Sequence, residues 1–221
     1  MAERAIVLQH EPDAAAGNFG EWAEARGFEL EVLTTDGRWE VPDLADVAFV
    51  ASLGSPDHSY DDELPWLARE LGVLAAAHRS GTPVYGICFG SQSLALSLGA
   101  ETQLAEEREI GWYDLDLSSG IEVPAGPWFF WHEDRFDVPA EAELLGRTPR
   151  GPALFRTEKD WGVQFHPEVD LETLETWILK EGADLDAATR ARMRHNLETE
   201  AAAARDRAWS LYDVFLDDLR R

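Results

Sequence analysis

A chain of 221 residues with 45% apolar side chains is long enough to bury a substantial core. Its 43 Asp and Glu against 19 Lys and Arg leave a formal charge of −24, a field that repels phosphate backbones and anionic lipid, so neither nucleic acid nor a membrane is an expected partner. Nine Trp and ten Phe are too many for a disordered acidic chain, and no apolar stretch of about 18 residues or signal-peptide pattern is present, so the expected location is the cytoplasm.

Residues 5–9 form a short run of branched apolar side chains, which predicts a strand, and residues 19–27 show helical spacing and stop at Gly27. A second strand is expected over 30–33. Residues 46–53 read as a third strand, apolar without alternation and therefore covered on both faces. Beyond the loop Gly54-Ser55-Pro56, residues 62–78 place Leu64, Leu67, Leu71, Leu74 and Ala75 at spacings of three and four, ahead of Gly81, as an amphipathic helix does. Residues 83–87 are again strand-like, and 91–98 helical. From about 101 to 164 the pattern turns to short alternating segments, clearest at 113–117, which predicts antiparallel strands. The early alternation of strand and helix implies a doubly wound, mostly parallel sheet with a smaller antiparallel extension. In the last 35 or so residues Met193, Leu197, Ala201, Ala204, Ala208, Leu211, Phe215 and Leu219 define one long helix with an apolar face, expected to pack back on the domain.

Chemistry concentrates at Gly86-Ile87-Cys88-Phe89-Gly90, between a predicted strand and a predicted helix. A sharp turn there pushes the middle side chain into a strained, exposed position, and the glycines avoid collisions as the backbone reverses. The following helix adds unpaired N–H groups and a positive dipole end that favour a thiolate. Cys88 is the single cysteine, so an intramolecular disulfide and a cysteine metal cluster are excluded. A thiolate nucleophile needs a histidine to protonate the leaving amine. His166 stands in Gly162-Val163-Gln164-Phe165-His166-Pro167-Glu168 at the end of a strand-like run, with Glu168 able to orient it. Ser55, Asp57 and His58 suggest a rival Ser-His arrangement, but no elbow surrounds Ser55. Glu106, Glu107 and Glu109 suggest a metal site, but an acidic run usually marks a solvated face, and no metal or other cofactor is expected.

With the elbow and the His-Pro-Glu segment in this order, the chain resembles the class I, or triad, glutamine amidotransferases over roughly residues 4–180. The segments Glu109-Ile110-Gly111-Trp112 and 131–139 look most like those of stand-alone GMP-synthase-like members. The resemblance implies a flavodoxin-like three-layer fold, an amidotransferase domain at residues 1–183 and a helical extension at 184–221. It makes Cys88 the nucleophile, His166 the acid and base, and Glu168 its orienter. The oxyanion is met by the N–H groups of Phe89 and of Ser55, where the family usually has a second Gly after Gly54; the added side chain restricts backbone flips. Gly54, Gln92, Glu133 and Asp134 fall at or near substrate-binding positions, and His132, Glu133 and Asp134 read equally well as a solvated turn.

Three functions follow from the resemblance. In the first, the enzyme splits the side-chain amide of glutamine and hands ammonia to an acceptor or to a separate synthetase, since residues for an acceptor-binding domain are not apparent. In the second, it hydrolyses gamma-glutamyl peptides or amides with the same Cys-His-Glu set. In the third, it is a catalytically silent regulatory subunit docking through the last helix.

Overall fold

The computed structural model describes residues 2–34, 40–180 and 182–220, without the side chain of Leu197. In chain order the elements are β1 (Glu3–Gln9), α1 (Gly17–Ala25), β2 (Phe28–Thr34), β3 (Val47–Ser52), α2 (Leu67–Ser80), β4 (Val84–Ile87), α3 (Phe89–Ser97), β5 (Thr102–Tyr113), β6 (Asp116–Leu117), β7 (Trp128–Phe136), β8 (Glu143–Thr148), β9 (Gly151–Arg156), β10 (Trp161–Val163), α4 (Leu171–Lys180) and α5 (Ala187–Leu219). Eight strands form the main sheet in the order β2-β1-β3-β4-β10-β9-β8-β6. The first five run parallel and the rest antiparallel, while β5 and β7 pair apart as an antiparallel ribbon.

The fold is three-layered because β1 is apolar on both faces. Ala5 and Val7 pack with Phe19 and Trp22 of α1 and with Leu211 and Phe215 of α5, and Ile6 and Leu8 pack with Val73 and Leu74 of α2 and Leu94 of α3. Each such fully buried Leu or Phe contributes about 1.5–3 kcal/mol. The carboxyl ends of the five parallel strands share one edge of the sheet, the edge on which such sheets bind ligands; the strand order reverses there between β1 and β3, and the β4–α3 junction lies along it.

Four sequence expectations shift. The helix expected from residue 62 starts at Leu67, because Pro65 supplies no N–H and disfavours helical backbone at Leu64; residues 58–64 make turns instead. Its buried stripe is rotated as well, with Glu70 fully buried in the phase that Leu71 was expected to occupy. The alternating run 113–117 is divided between two sheets, Tyr113 ending the ribbon and Asp116–Leu117 pairing with β8. Finally, the apolar face of α5 is buried toward its two ends: Met193 meets α4 and the ribbon, while Ala208, Leu211 and Phe215 meet α1 and the sheet. Ala201 between them is exposed. Leu197 lies outside the described side chains. The last turns of α5 reach the back of the elbow strand, with Phe215 and Tyr212 rings 4.9 and 5.7 Å from that of Tyr85. Among the described residues no helix is long and apolar enough to cross a membrane.

Candidate active site

Ile87 ends β4 and Phe89 begins α3, so Cys88 alone must turn the chain. It does so at φ 51° and ψ −108°, a strained conformation of the kind that costs about 1–3 kcal/mol. A Cβ at Gly90 would fall on the Ser52 carbonyl, and one at Gly86 on the Gly90 carbonyl, so both flanks must be glycine. The turn is held by its main chain: the Cys88 N–H donates to the Val163 carbonyl at 2.7 Å, and the Ser91 and Gln92 N–H groups donate back to the Cys88 carbonyl. Sequence reasoning expects an exposed sulfur, but Cys88 is only 4% exposed, because Gln164 and Trp131 close over it. Its Sγ lies 3.7 Å from Gln164 Nε2 and 3.9 Å from the Trp131 carbonyl, and it lines a cavity of about 240 Å³.

His166 reaches the same cavity from the end of β10. Its N–H donates to the Phe129 carbonyl at 2.7 Å, its ring packs edge-on to Trp177 at 4.8 Å, and its Nδ1 pairs with Glu168 Oε1 at 2.7 Å. The ring and the Cys88 side chain line the same cavity. Burial by itself pushes the imidazole down, but the Glu168 carboxylate and the Cys88 sulfur outweigh it and hold the ring well above the usual histidine range. Glu168 is in turn gripped through its carbonyl, which accepts from the Asn18 N–H at 2.9 Å. The structure thus brings Cys88, His166 and Glu168 together at one buried site.

Opposite them runs the loop after β3. Gly54 lies against both Cys88 and His166, a Cβ there coming within 3.1 Å of His166 Cε1 and 4.0 Å of Cys88 Cβ. Ser55 lines the cavity, and among the described residues nothing accepts from its N–H or from that of Phe89. The Ser55 hydroxyl donates to Asp57 Oδ2 at 2.9 Å and not to His58, so no Ser-His pair forms.

The far wall comes from β7. His132 and Asp134 are buried strand residues, whereas Glu133 points outward to Arg108 at 2.9 Å, so this segment is not a turn. Asp134 Oδ2 pairs with His58 Nδ1 at 2.7 Å, and its Oδ1 accepts from the Tyr60 hydroxyl at 3.1 Å. The hydrogen bond to Asp134 is the main reason that His58 is raised, and burial followed by the Asp134 charge pushes Tyr60 up to about 12. Gln92 is buried, its Nε2 donating to the Asp134 carbonyl and to Gln164 Oε1, both at 3.3 Å. The acidic run at 106–109 is also not wholly solvated: Glu109 is buried opposite its strand partner His132, with Oε2 3.2 Å from Nε2, while Glu107 stays exposed beside Arg150. Among the described residues no three His, Cys, Asp or Glu converge as a metal site.

Sequence reading missed His10, Glu70, Tyr60 and Trp177, and gave His58 and Gln164 no part in this site. Two carried a signal: Glu70 is a charge in phase with the apolar stripe of Leu67 and Leu74, and His10 directly follows a parallel strand, at the edge where crevices form.

Comparison with known proteins falls into line with this geometry. The glutamine amidotransferase class-I family model matches residues 21–185. Among curated relatives, the glutamine-hydrolysing GMP synthase of Clostridium kluyveri is 33% identical over 127 residues, which is 53% of this chain and 24% of the relative. The enzyme of the same name from Xanthomonas campestris is 39% identical over 104 residues, 41% of this chain and 20% of that protein. The chain therefore matches only about a quarter of the length of these relatives. Among solved structures, a glutamine amidotransferase from Methylobacillus flagellatus superposes with a TM-score of 0.90 at 23% identity, covering 100% of this chain and 97% of the other. One from Thermotoga maritima gives 0.88 at 25% identity, covering 97% and 98%.

Proposed function

Because this chain belongs to the glutamine amidotransferase class-I family, we propose that it hydrolyses the side-chain amide of glutamine through a thioester on Cys88. The thiolate attacks the amide carbon, and the oxyanion that develops is met by the Phe89 and Ser55 N–H groups, each such donor being worth about 3 kcal/mol in the transition state. His166, as imidazolium, protonates the departing nitrogen, which leaves as ammonia. The ring then takes a proton from water, the resulting hydroxide opens the thioester, and glutamate leaves with the thiol restored. Glu168 keeps the imidazole oriented throughout, and Gln92, Gly54, Asp134 and Glu133 surround the amino-acid end of the substrate. Ammonia passes to an acceptor or to a separate synthetase.

One observation carries this reading: a lone cysteine on a strained strand-to-helix turn shares its cavity with a buried histidine that Glu168 Oε1 holds at 2.7 Å. The lining of the cavity favours a second substrate class on the same machinery. Its carboxylates include Glu11, Asp13 and Asp57 as well as Glu133 and Asp134, with no Lys or Arg among the described lining residues, which suits a gamma-glutamyl amide whose leaving amine is cationic. Ammonia and amine release from glutamine and from a panel of gamma-glutamyl amides, with Cys88→Ala as control, tests both. Turnover of glutamine that disappears in the variant supports the main reading. Rapid turnover of the amides with glutamine untouched replaces it with the second, and turnover that survives in the variant overturns both.

A further inference from the structure

β1 and β3 run parallel with Leu8 beside Ser52, and this register carries two residues further to set His10 beside Gly54. The His10 Nδ1 lies 3.1 Å from the Gly54 carbonyl, and its Nε2 lies 2.7 Å from Glu70 Oε2. Glu70 is fixed from behind, where its Oε1 accepts from the Ser52 hydroxyl at 2.7 Å. The His10 and Glu70 side chains are 0% exposed, and the imidazole is wedged between Trp66 and Phe89, each with its ring centre 4.9 Å away. The Gly54 carbonyl can only accept, so Nδ1 donates to it and Nε2 is left to pair with the Glu70 carboxyl group. Burial pushes His10 down, yet the Glu70 charge, the Glu70 hydrogen bond, the Gly54 carbonyl and the charge of Asp57 together raise it above the ordinary value.

We propose that His10, clamped by Glu70, is a positioning residue that locks the Gly54–Ser55 peptide with the Ser55 N–H turned into the cavity. The Gly54–Ser55 bond is trans, so its carbonyl and its N–H point in opposite directions. Holding the carbonyl on the buried His10 side leaves the N–H on the cavity side, toward Cys88. The same imidazole packs on Phe89, the residue that supplies the other oxyanion donor, and so touches both halves of the hole. Two more contacts stiffen the loop: the Leu53 carbonyl accepts from the Gly90 N–H at 3.0 Å, and the Ser55 hydroxyl is tied to Asp57. A buried ion pair is a poor device for stability alone, since apolar side chains of similar volume commonly replace one without loss. Its place beside a single catalytic peptide is what gives it a use.

The inference rests on the thioester reading, and the test separates the two. Wild type is compared with His10→Phe, and with the double variant His10→Phe/Glu70→Leu, which removes the charge that the single variant strands. The double variant is expected to lose about 100-fold in kcat on glutamine, the effect of one missing oxyanion donor. KM is expected to stay within about threefold. Alkylation of Cys88 by iodoacetamide, which passes through no oxyanion, keeps its wild-type rate. A wild-type kcat in the double variant, or a parallel fall in alkylation, overturns the inference. If wild type itself does not turn over glutamine, the thioester reading fails, and a crystal structure of the double variant still decides the orientation. A rotated Gly54–Ser55 peptide supports the lock, and an unmoved one refutes it.

Discussion

The wall of the cavity that carries Cys88 and the wall that carries Asp134 face each other, yet different bonds hold them. On the first, the backbone does the work: Cys88 to Val163, His166 to Phe129 and Asn18 to Glu168 are main-chain hydrogen bonds of 2.7–2.9 Å that leave no freedom at the elbow. On the second, side-chain pairs hold side chains, as with His58 to Asp134, Tyr60 to Asp134 and Arg108 to Glu133. A wall built on backbone keeps its shape when a side chain is replaced, so a substitution there removes the chemistry itself, whereas one built on titratable side-chain pairs changes shape with both substitution and pH. The chemistry is accordingly expected to be rigid and the recognition adjustable.

Substitutions on the first wall therefore produce the largest losses. Cys88→Ala is expected to lower kcat on the amide substrate by at least about 10⁴-fold, with the melting temperature preserved because Ala keeps the Cβ and the main-chain hydrogen bonds of the turn. Retention of more than a hundredth of the activity would place the chemistry elsewhere. Glu168→Gln keeps the shape of the wall but removes the charge that orients and stabilises the His166 imidazolium, a loss of about 10³–10⁴ in kcat by analogy with other triads. Equal kcat in the two proteins would show that the hydrogen bond, and not the charge, is what matters.

On the second wall the expected change moves to KM. Asp134→Asn unpairs His58 and Tyr60 and should raise KM about tenfold, equivalent to about 1.4 kcal/mol of binding, with kcat held within a factor of about two. A kcat effect as large as that of Glu168→Gln would erase the distinction between the walls. The pH dependence follows the same division. His58 is raised chiefly by its hydrogen bond to Asp134, so the charged pair is complete below the ordinary histidine value of 6.5 and is lost as pH rises through the raised value. KM should climb across that window while kcat stays level, since His58 pairs with Asp134 and Tyr60 and not with Cys88, His166 or Glu168. A kcat that falls in step with KM contradicts this. The smallest effect is expected for Arg108→Ala, which breaks an exposed pair with Glu133 of the sort worth at most about 1 kcal/mol, so KM should shift by less than about fivefold.

The two walls also differ in how far their sequence can be read. Gly86, Cys88 and Gly90 announce the elbow because the constraint is local: a strand, a reversal and a helix within a few residues, with no room for a Cβ at either glycine. Strands β1, β3 and β4 are legible for a similar reason, since burial on both faces leaves an unbroken apolar run. His132 and Asp134 are not, because a charged residue in a strand is explained only by a partner far along the chain, here Glu109 and His58. The rotation of α2 toward Glu70 has the same origin, a buried carboxylate being tolerable only beside His10, 60 positions away in sequence. Long-range pairing likewise decides the split of residues 113–117, where alternation alone reads as one strand and the hydrogen bonds belong to two sheets.

The most direct test is to mix the protein with glutamine, quench it within a single turnover and weigh the peptide that contains Cys88. The thioester account predicts one added glutamyl group on that cysteine, appearing before ammonia release is complete and absent from Cys88→Ala. Ammonia released at full rate with Cys88 never modified, and undiminished in Cys88→Ala, would contradict it.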